Sequence, residues 1–431
     1  MGPTPSGFYA ALDDALAATI AGPAGFREYV QAGPVGLPNA AFVERERRLD
    51  ALRLFFEVVS QVFREVVAGE ASPRLARLLF NDAPANYGIE FHRALPREVW
   101  TVPRFFRTDE SQDGKILELQ CPGSGWGDLP LLTALYGQYF KSDALAQYKP
   151  AMLVAEEIAR LCGKTNASVL HLLDNASNPT SMRYLIATTQ PPLRYWGYER
   201  SVRNDECDFV RSHSFYGLVA ENLFKKRVRD AAEGRVLFDL PPAIVFDQKM
   251  PLCLPFLEET RDRFSDWIRA ILCYSTPVFE DGFADVNGEW VTIENFLKRP
   301  PSQRRYFVKY AGSDVSLNWG SRGVFRLSDK KGAELLRMAA VDASRGRFWL
   351  IQPEVSGKEQ VVYINRVDGN PIQETLTSKV SCFYGPTRLV GIRTMHRRHF
   401  KVHGQDDTVL GLAVPQFYEE SGTDGGRRGH A

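Results

Sequence analysis

Apolar residues recur at three-and-four spacing from Phe42 to Gly69, with Leu52, Phe55, Phe56, Val59, Val62, Phe63 and Val66 on one stripe and charged residues opposite. That period predicts an amphipathic helix closed by the glycine. The whole of 1–100 reads as a helical N-terminal cover. From Val102 the period shortens. Val102 to Phe106 and Ile116 to Gln120 are β-type runs joined by the turn-rich SQDG, and they are expected to pair. CPGSGWGDLP and a helical stretch from Leu131 to Leu161 follow, so 101–164 is expected to hold a strand pair and a helix. Next come VLHLLD, the helix-like SMRYLIATTQ, CDFV and AIVFD. Strand, helix, strand in that order predicts a small Rossmann-like layer over 165–277. Over 278–415 the strands YFVKY, GVFRL, FWLIQPEV and QVVYINR alternate with loops and one helix, KKGAELLRMAAVDA. This texture predicts a mainly antiparallel sheet. The Gly-rich polar tail, 416–431, is expected to be disordered. The class is mixed, α+β with an α/β layer.

Composition narrows the function. The 431 residues are enough for about three domains. The 53 basic and 52 acidic side chains leave a net charge of +1, so no whole-chain field favours nucleic acid or an anionic membrane. No apolar run approaches the ~20 residues of a membrane span, and the N-terminus lacks the basic and apolar regions of a signal peptide. The match to a myristoylation site is weak, because Pro3 and Pro5 stiffen it. Six widely spaced cysteines (Cys121, Cys162, Cys207, Cys253, Cys273, Cys382) form no CxxC pair. They are expected to be reduced thiols of a cytoplasmic protein.

Four stretches carry candidate chemistry. In RTDESQDGKILELQCPGSGWGD, Glu118 and Gln120 are two apart on one strand and so share a face. Asp109, across the connection, is placed to sit opposite them. Two carboxylates and an amide oxygen make a hard-oxygen site suited to Mg²⁺, and Arg107 on Asp109's face suits an anion or oxyanion. The competing reading is a solvated surface hairpin. In YFVKYAGSDVSLNWGSRG, Lys309 faces away from Tyr306, Val308 and Tyr310 and leads into a loop with Gly312, Gly320, Ser321 and Gly323. A lysine and loop amides of this kind clamp phosphates, although a snorkelling edge lysine has the same pattern. In FWLIQPE, Gln352 and Glu354 flank a proline that ends ladder pairing, leaving groups free for an adenine edge. In MHRRHFKVHGQDD, the spacing of His396, His399 and His403 fits one helical face. Their neighbours Arg397, Arg398 and Lys401 oppose a zinc ion, so a basic wall for carboxylates or phosphates, or a solvated surface, fits better.

In this order the motifs resemble the circularly permuted ATP-grasp ligases of the glutathionylspermidine synthase type. Arg107-Thr-Asp109 and Glu118-Leu-Gln120 stand for that family's R-x-D and E-x-N, and Cys121-Pro-Gly123 for the turn after them. Val308-Lys309, the segment 312–323 and Gln352-Pro353-Glu354 stand for its lysine strand, phosphate loop and hinge. The segment PVFEDGFADVNGEWVTIENFLKR is similar to the stretch carrying a first ATP lysine, with Lys298 as the candidate. Gln120 replaces the usual Asn, Tyr310 stands where Pro is usual, the loop has few glycines, and no amidase-like domain is apparent.

The resemblance implies an ATP-grasp-like fold and ATP-dependent joining of a small carboxylate and an amine, of amino-acid or polyamine type, through an acylphosphate. Mg²⁺ on Asp109, Glu118 and Gln120, ATP phosphates on Lys298 and Lys309 under a closing loop, adenine at Gln352 and Glu354, and an oxyanion at Arg107 would follow. Arg397 and Lys401 are the substrate-binding candidates. A nucleotide-binding module without catalysis is the main rival, supported by Gln120 and the sparse glycines. A Rossmann dehydrogenase needs a Gly-rich turn, and LLDNASNPTS has none. A kinase needs H-R-D and D-F-G, which do not follow YFVKY.

Overall fold

The computed structural model describes residues 7, 9–10, 13–14, 28–121, 125–140, 143–172, 184–185, 188–189, 194–196, 207–212, 214–220, 223–318, 321–355, 357–402 and 406–416. The expected turn at 122–124, Gly320, His403, most of SMRYLIATTQ and the tail from 417 lie outside the described residues.

The periodic segment forms a helix over Asn39–Ala68 and ends at Gly69; the predicted stripe from Leu52 to Val66 is its buried face. Phe56 meets Phe106 edge-on at 4.9 Å and Phe246 at 6.1 Å. The helix therefore covers one face of the main sheet. That sheet has eight strands. Its path runs Gly357–Ile364, Tyr29–Gln31, Val409–Gln416, Leu389–Arg397, Pro371–Tyr384, Phe106–Glu110 and Ile116–Gln120, with Val35–Pro38 added beside Val409–Gln416. A second, four-stranded sheet runs Val324–Arg326, Tyr306–Tyr310, Trp349–Pro353 and Thr276–Pro277, with all pairings antiparallel. A third is parallel, in the order Arg194–Trp196, Ser168–Leu172, Phe209–Ser212 and Leu237–Phe238. The expected strands VLHLLD and CDFV supply its two central members.

Several expectations shift. The N-terminal hundred is not helical throughout, since 29–38 supplies two strands that pair in parallel with Val409–Gln416. Its Gly and Pro residues look like a loop, and only the distant partner strand makes it a ladder. The span 278–415 is not one lobe: residues 357–416 belong to the main sheet rather than to the lysine-bearing one. The first strand of the hairpin starts at Phe106 rather than Val102, because Pro103 has no N–H to give. The helical stretch breaks into Asp128–Tyr139, Asp143–Gln147 and Pro150–Cys162. AIVFD is a buried 3-10 turn, Ile244–Asp247, hemmed by Pro241, Pro242 and Pro251.

The strand Phe106–Glu110 divides its side chains between two environments. Phe106, Thr108 and Glu110 face the long helix. Glu110 accepts from Arg48 at 3.2 Å and from the Thr108 hydroxyl at 3.0 Å, and pairs with Arg45 at 3.2 Å. All four are buried. Removing the carboxylate would leave the buried Arg45 guanidinium without its acidic partner and Arg48 with Glu44 alone, at 3.4 Å. Glu110→Ala is expected to cost about 3–5 kcal/mol of stability in urea unfolding, with Glu110→Gln losing much less because it keeps the shape and part of the hydrogen bonding. A loss below about 1 kcal/mol for the alanine variant would mean that this charge network is solvated in solution.

Candidate functional site

On its other face the same hairpin carries Arg107 and Asp109. Its register sets Asp109 opposite Glu118 and Arg107 opposite Gln120. The neighbouring strand places Ser381 beside Asp109, and the next places Arg393 beside Ser381. A polar row, Glu118, Asp109, Ser381, Arg393, thus crosses four strands of one sheet face.

Asp109 is almost completely buried and accepts hydrogen bonds from Arg107, Lys379 and Ser381. Arg107 reaches it at 3.0 and 3.1 Å, Lys379 Nζ at 2.6 Å and the Ser381 hydroxyl at 2.8 Å. Burial alone would raise its pKa, but Arg107, Lys379 and Ser381 outweigh it and hold the carboxyl well below the usual range. Glu118 is less enclosed. Lys249 Nζ lies 3.3 Å from its Oε1. Burial pushes Glu118 up, and the ammonium groups of Lys249, Lys379 and Lys309 bring it below the ordinary value against the opposing charge of Asp109.

Three lysines converge from different elements. Lys379 comes from the main sheet. Lys249 sits between the 3-10 turns Ile244–Asp247 and Met250–Phe256, and its ammonium also donates to the Asn318 carbonyl at 2.8 Å. Lys309 comes from the second sheet, facing away from the core residues Val308 and Tyr310 as the alternation predicts. Its ammonium donates to Gln352 Oε1. Burial lowers the pKa of Lys309, and Glu118 partly restores it while Lys249 and Lys379 push it further down. Lys379 is likewise lowered by burial, with Asp109 opposing.

Gln352 joins the two sheets. Its amide nitrogen donates to the Leu117 carbonyl at 3.2 Å and to the Ser275 hydroxyl at 2.9 Å, while its oxygen receives Lys309. Glu354 pairs with Arg326 at 2.8 Å. Both side chains are therefore engaged within the protein. The loop after Lys309 is also anchored. Ser313 donates to the Asn81 carbonyl at 3.0 Å, Asp314 pairs with Arg347 at 2.6 Å, and Asn318 donates to the Asp247 carbonyl at 2.9 Å. Gly312 and Gly323 allow close packing on Tyr310, since a Cβ would lie 2.5 Å from its hydroxyl and 2.7 Å from its Cβ respectively. Ser321 has φ 56 and gives its carbonyl to Lys401 Nζ at 3.2 Å.

Some expected members stand apart. Lys298 is exposed on the last turn of the short helix Ile293–Lys298, and the cluster's cations are Lys249, Lys309 and Lys379 instead. Arg397 pairs with Asp407 at 2.7 Å, and Lys401 lies 4.7 Å over the Phe325 ring. The histidine-rich segment is not helical up to Arg397, because the strand Leu389–Arg397 includes His396. His396 Nδ1 lies 2.7 Å from the Ser378 hydroxyl and 2.9 Å from Glu359. Among the described residues no group of three or more His, Cys, Asp or Glu side chains is placed to hold a metal.

Sequence reasoning passed over Lys249, Lys379, Arg393 and Arg211. Arg393 is buried against Asp128. A Cβ at Gly125, where φ is +86, would strike its guanidinium at 2.2 Å, so this position accepts glycine alone. Arg211 lies between the rings of Trp126 (4.7 Å) and Phe105 (5.2 Å), with Asp239 at 3.4 Å. Burial pushes Asp239 up to about 6 and pulls Arg211 down. Arg211 stands near the carboxyl end of the parallel sheet, where strand order reverses between Ser168–Leu172 and Phe209–Ser212. Ligands of open α/β sheets bind at such a point. Only a basic residue next to an apolar strand marks Arg211, Lys249 and Lys379 in the sequence.

No family model matches this sequence, and no curated protein matches it. Among solved structures, the chain is similar to a gamma-glutamylcysteine synthetase designation from Methylobacillus flagellatus KT, at 11% identity and TM-score 0.37 over 80% of this chain and 86% of that one. That overlap is too loose to bear on the fold. It is also similar to the apo form of a glutathione synthetase-like effector from Globodera pallida, at 10% identity and TM-score 0.53 over 95% of this chain and 96% of that one. With matching extents and one mixed α/β architecture, the chain has the fold of this glutathione synthetase-like protein.

Proposed function

We propose that the chain is an ATP-grasp carbon–nitrogen ligase, using ATP to activate a small carboxylate as an acylphosphate and passing the acyl group to an amine. The observation that carries this reading is the convergence of Lys249, Lys309 and Lys379 on Asp109 and Glu118 between the main sheet and the second sheet. Cations in excess over carboxylates suit a polyphosphate, and the shared fold with a glutathione synthetase-like protein supports the same assignment.

The donor set suits Mg²⁺ in part. Asp109 is spent on three donors, whereas Glu118 has one cation within 4 Å, so Glu118 with Gln120 and the phosphates themselves are the oxygens that would hold the ion. Bound there, Mg²⁺ supplies charge neutralisation at the terminal phosphates. Lys309 and Lys249 hold phosphate oxygens. Gln352 keeps Lys309 aimed, and Asp109 keeps Arg107 and Lys379 extended toward the reacting carboxylate. Arg107 then stabilises the oxyanion formed when the amine attacks, and the loop over 312–323 keeps water from the acylphosphate. A second reading, nucleotide binding without turnover, is favoured by the full occupation of Asp109; it predicts ATP binding but no ADP release with any acid and amine.

Three outcomes are expected. Glu118→Ala abolishes Mg²⁺-dependent ADP formation with a panel of amino acids and amines, while the thermal melt stays near that of the unsubstituted protein; retention of more than about a tenth of the rate, a loss under about 1.4 kcal/mol, would remove Glu118 from the site. In calorimetry, Lys309→Met weakens ATP binding by about tenfold or more without lowering stability, because a buried charge is replaced by an apolar stem of similar length. Unchanged affinity would return Lys309 to a packing role. The protonated lysine is the phosphate-binding form, and burial lowers its pKa, so its charge is lost at a lower pH than that of a free lysine. ATP affinity should therefore fall as pH rises toward the ordinary lysine range, beginning below it, and much of that slope should vanish in Lys309→Met. An equal slope in both proteins would contradict the assignment.

A further inference from the structure

The face of the main sheet opposite the lysine cluster borders a cleft of about 410 Å³. Its walls come from the helix Asn39–Ala68, the segment 100–106, the end of the helix Pro150–Cys162 and the turn at Gly385 and Pro386. On the long helix, Arg53, Glu57, Ser60 and Arg64 line it. Steps of four, three and four residues put them on one helical face, and the two arginines stand about 16 Å apart along the axis. Arg104 and Arg160 complete the basic lining, with Trp100 and Phe106 among the apolar residues.

Four guanidinium groups thus share the cleft with a single lining carboxylate, Glu57. Arg53 has no hydrogen bond or ion pair among the described residues. Arg64 donates only to the Ser60 carbonyl at 3.3 Å, and Arg104 to the Phe238 carbonyl at 3.1 Å. Arg160 alone has an acidic partner, Glu157 at 3.0 Å, and Glu157 is also held by Arg388 at 3.2 Å. Burial lowers the pKa of Arg104, with Asp239 opposing, so its charge is partly desolvated beside the cleft. Like charges gathered in a concave, partly apolar space repel one another and focus a positive field. Guanidinium forks match phosphate and carboxylate oxygens in pairs, and the rings supply an apolar surface for the rest of a ligand.

We propose that this cleft binds a small organic polyanion, a molecule carrying two or more phosphate or carboxylate groups, at a site separate from the lysine cluster. One anionic group cannot reach both Arg53 and Arg64, so the spacing selects for several. Because Phe106 lines the cleft and Arg107, the next residue, faces the cluster, occupancy bears on the strand that carries the reacting groups.

The test uses calorimetry on the full chain at low salt with pyrophosphate, citrate and benzene-1,3,5-tricarboxylate. At least one probe is expected to bind with a dissociation constant below about 1 mM, and the phosphate and carboxylate probes separate the two chemistries. The double variant Arg53→Ala/Arg64→Ala should weaken that binding at least about tenfold and keep its melt, since both side chains are exposed. The part of the binding that the double variant removes should persist in Lys309→Met. Absence of binding by all three probes, binding indifferent to the double variant, or binding lost in Lys309→Met would each overturn the proposal; the last would assign the anions to the lysine cluster.

Discussion

Burying charge is the constraint around which this chain is organised. Asp109 and Glu118 stand side by side on a sheet face, and two adjacent carboxylates in a dry site are untenable without cations. Arg107 and Lys379 come from the same sheet, Lys249 from a proline-hemmed turn, and Lys309 from a second sheet. The elements that deliver these cations are the elements of the fold. Each carboxylate is held below its ordinary pKa by those cations, and Lys309 and Lys379 are in turn drawn below theirs by burial.

Position follows from that balance. Gln352 ties the strand Trp349–Pro353 to the backbone of the hairpin and aims Lys309 with the same side chain. On the far edge of the polar row, Arg393 is fixed by Asp128 and by the space left at Gly125. The reverse face of the strand Phe106–Glu110 is tied to the long helix through Glu110, Arg45 and Arg48. One five-residue strand thus carries two charge networks on opposite faces, and either shifts only if the other yields.

Much of this was legible in the sequence where the signal is local. The stripe from Leu52 to Val66, the pairing of Glu118 with Asp109 across a short connection, and the outward aim of Lys309 all follow from a period of 3.6 or 2 read over a few residues. The parallel layer followed from the order of its strands. What failed was non-local. The strands at 29–38 owe their form to residues near 410, and Lys249 and Lys379 gain a partner only when three separate elements meet. His396 has helical spacing to its neighbours yet lies on a strand, because the ladder with Pro371–Tyr384 and Val409–Gln416 outweighs any local preference. Proline misled twice, delaying the strand expected from Val102 until Phe106 and turning AIVFD into a 3-10 segment.

The central claim is that the cluster around Asp109 and Glu118 moves the terminal phosphoryl group of ATP to a carboxylate. Transfer of isotope tests it most directly, because the oxygen that attacks phosphorus leaves with it. With ¹⁸O in both oxygens of the substrate carboxylate and an amine present, the account predicts ADP and phosphate in equal amounts, with one labelled oxygen in each phosphate released. Formation of AMP, or phosphate that carries no label while amide accumulates, would contradict it.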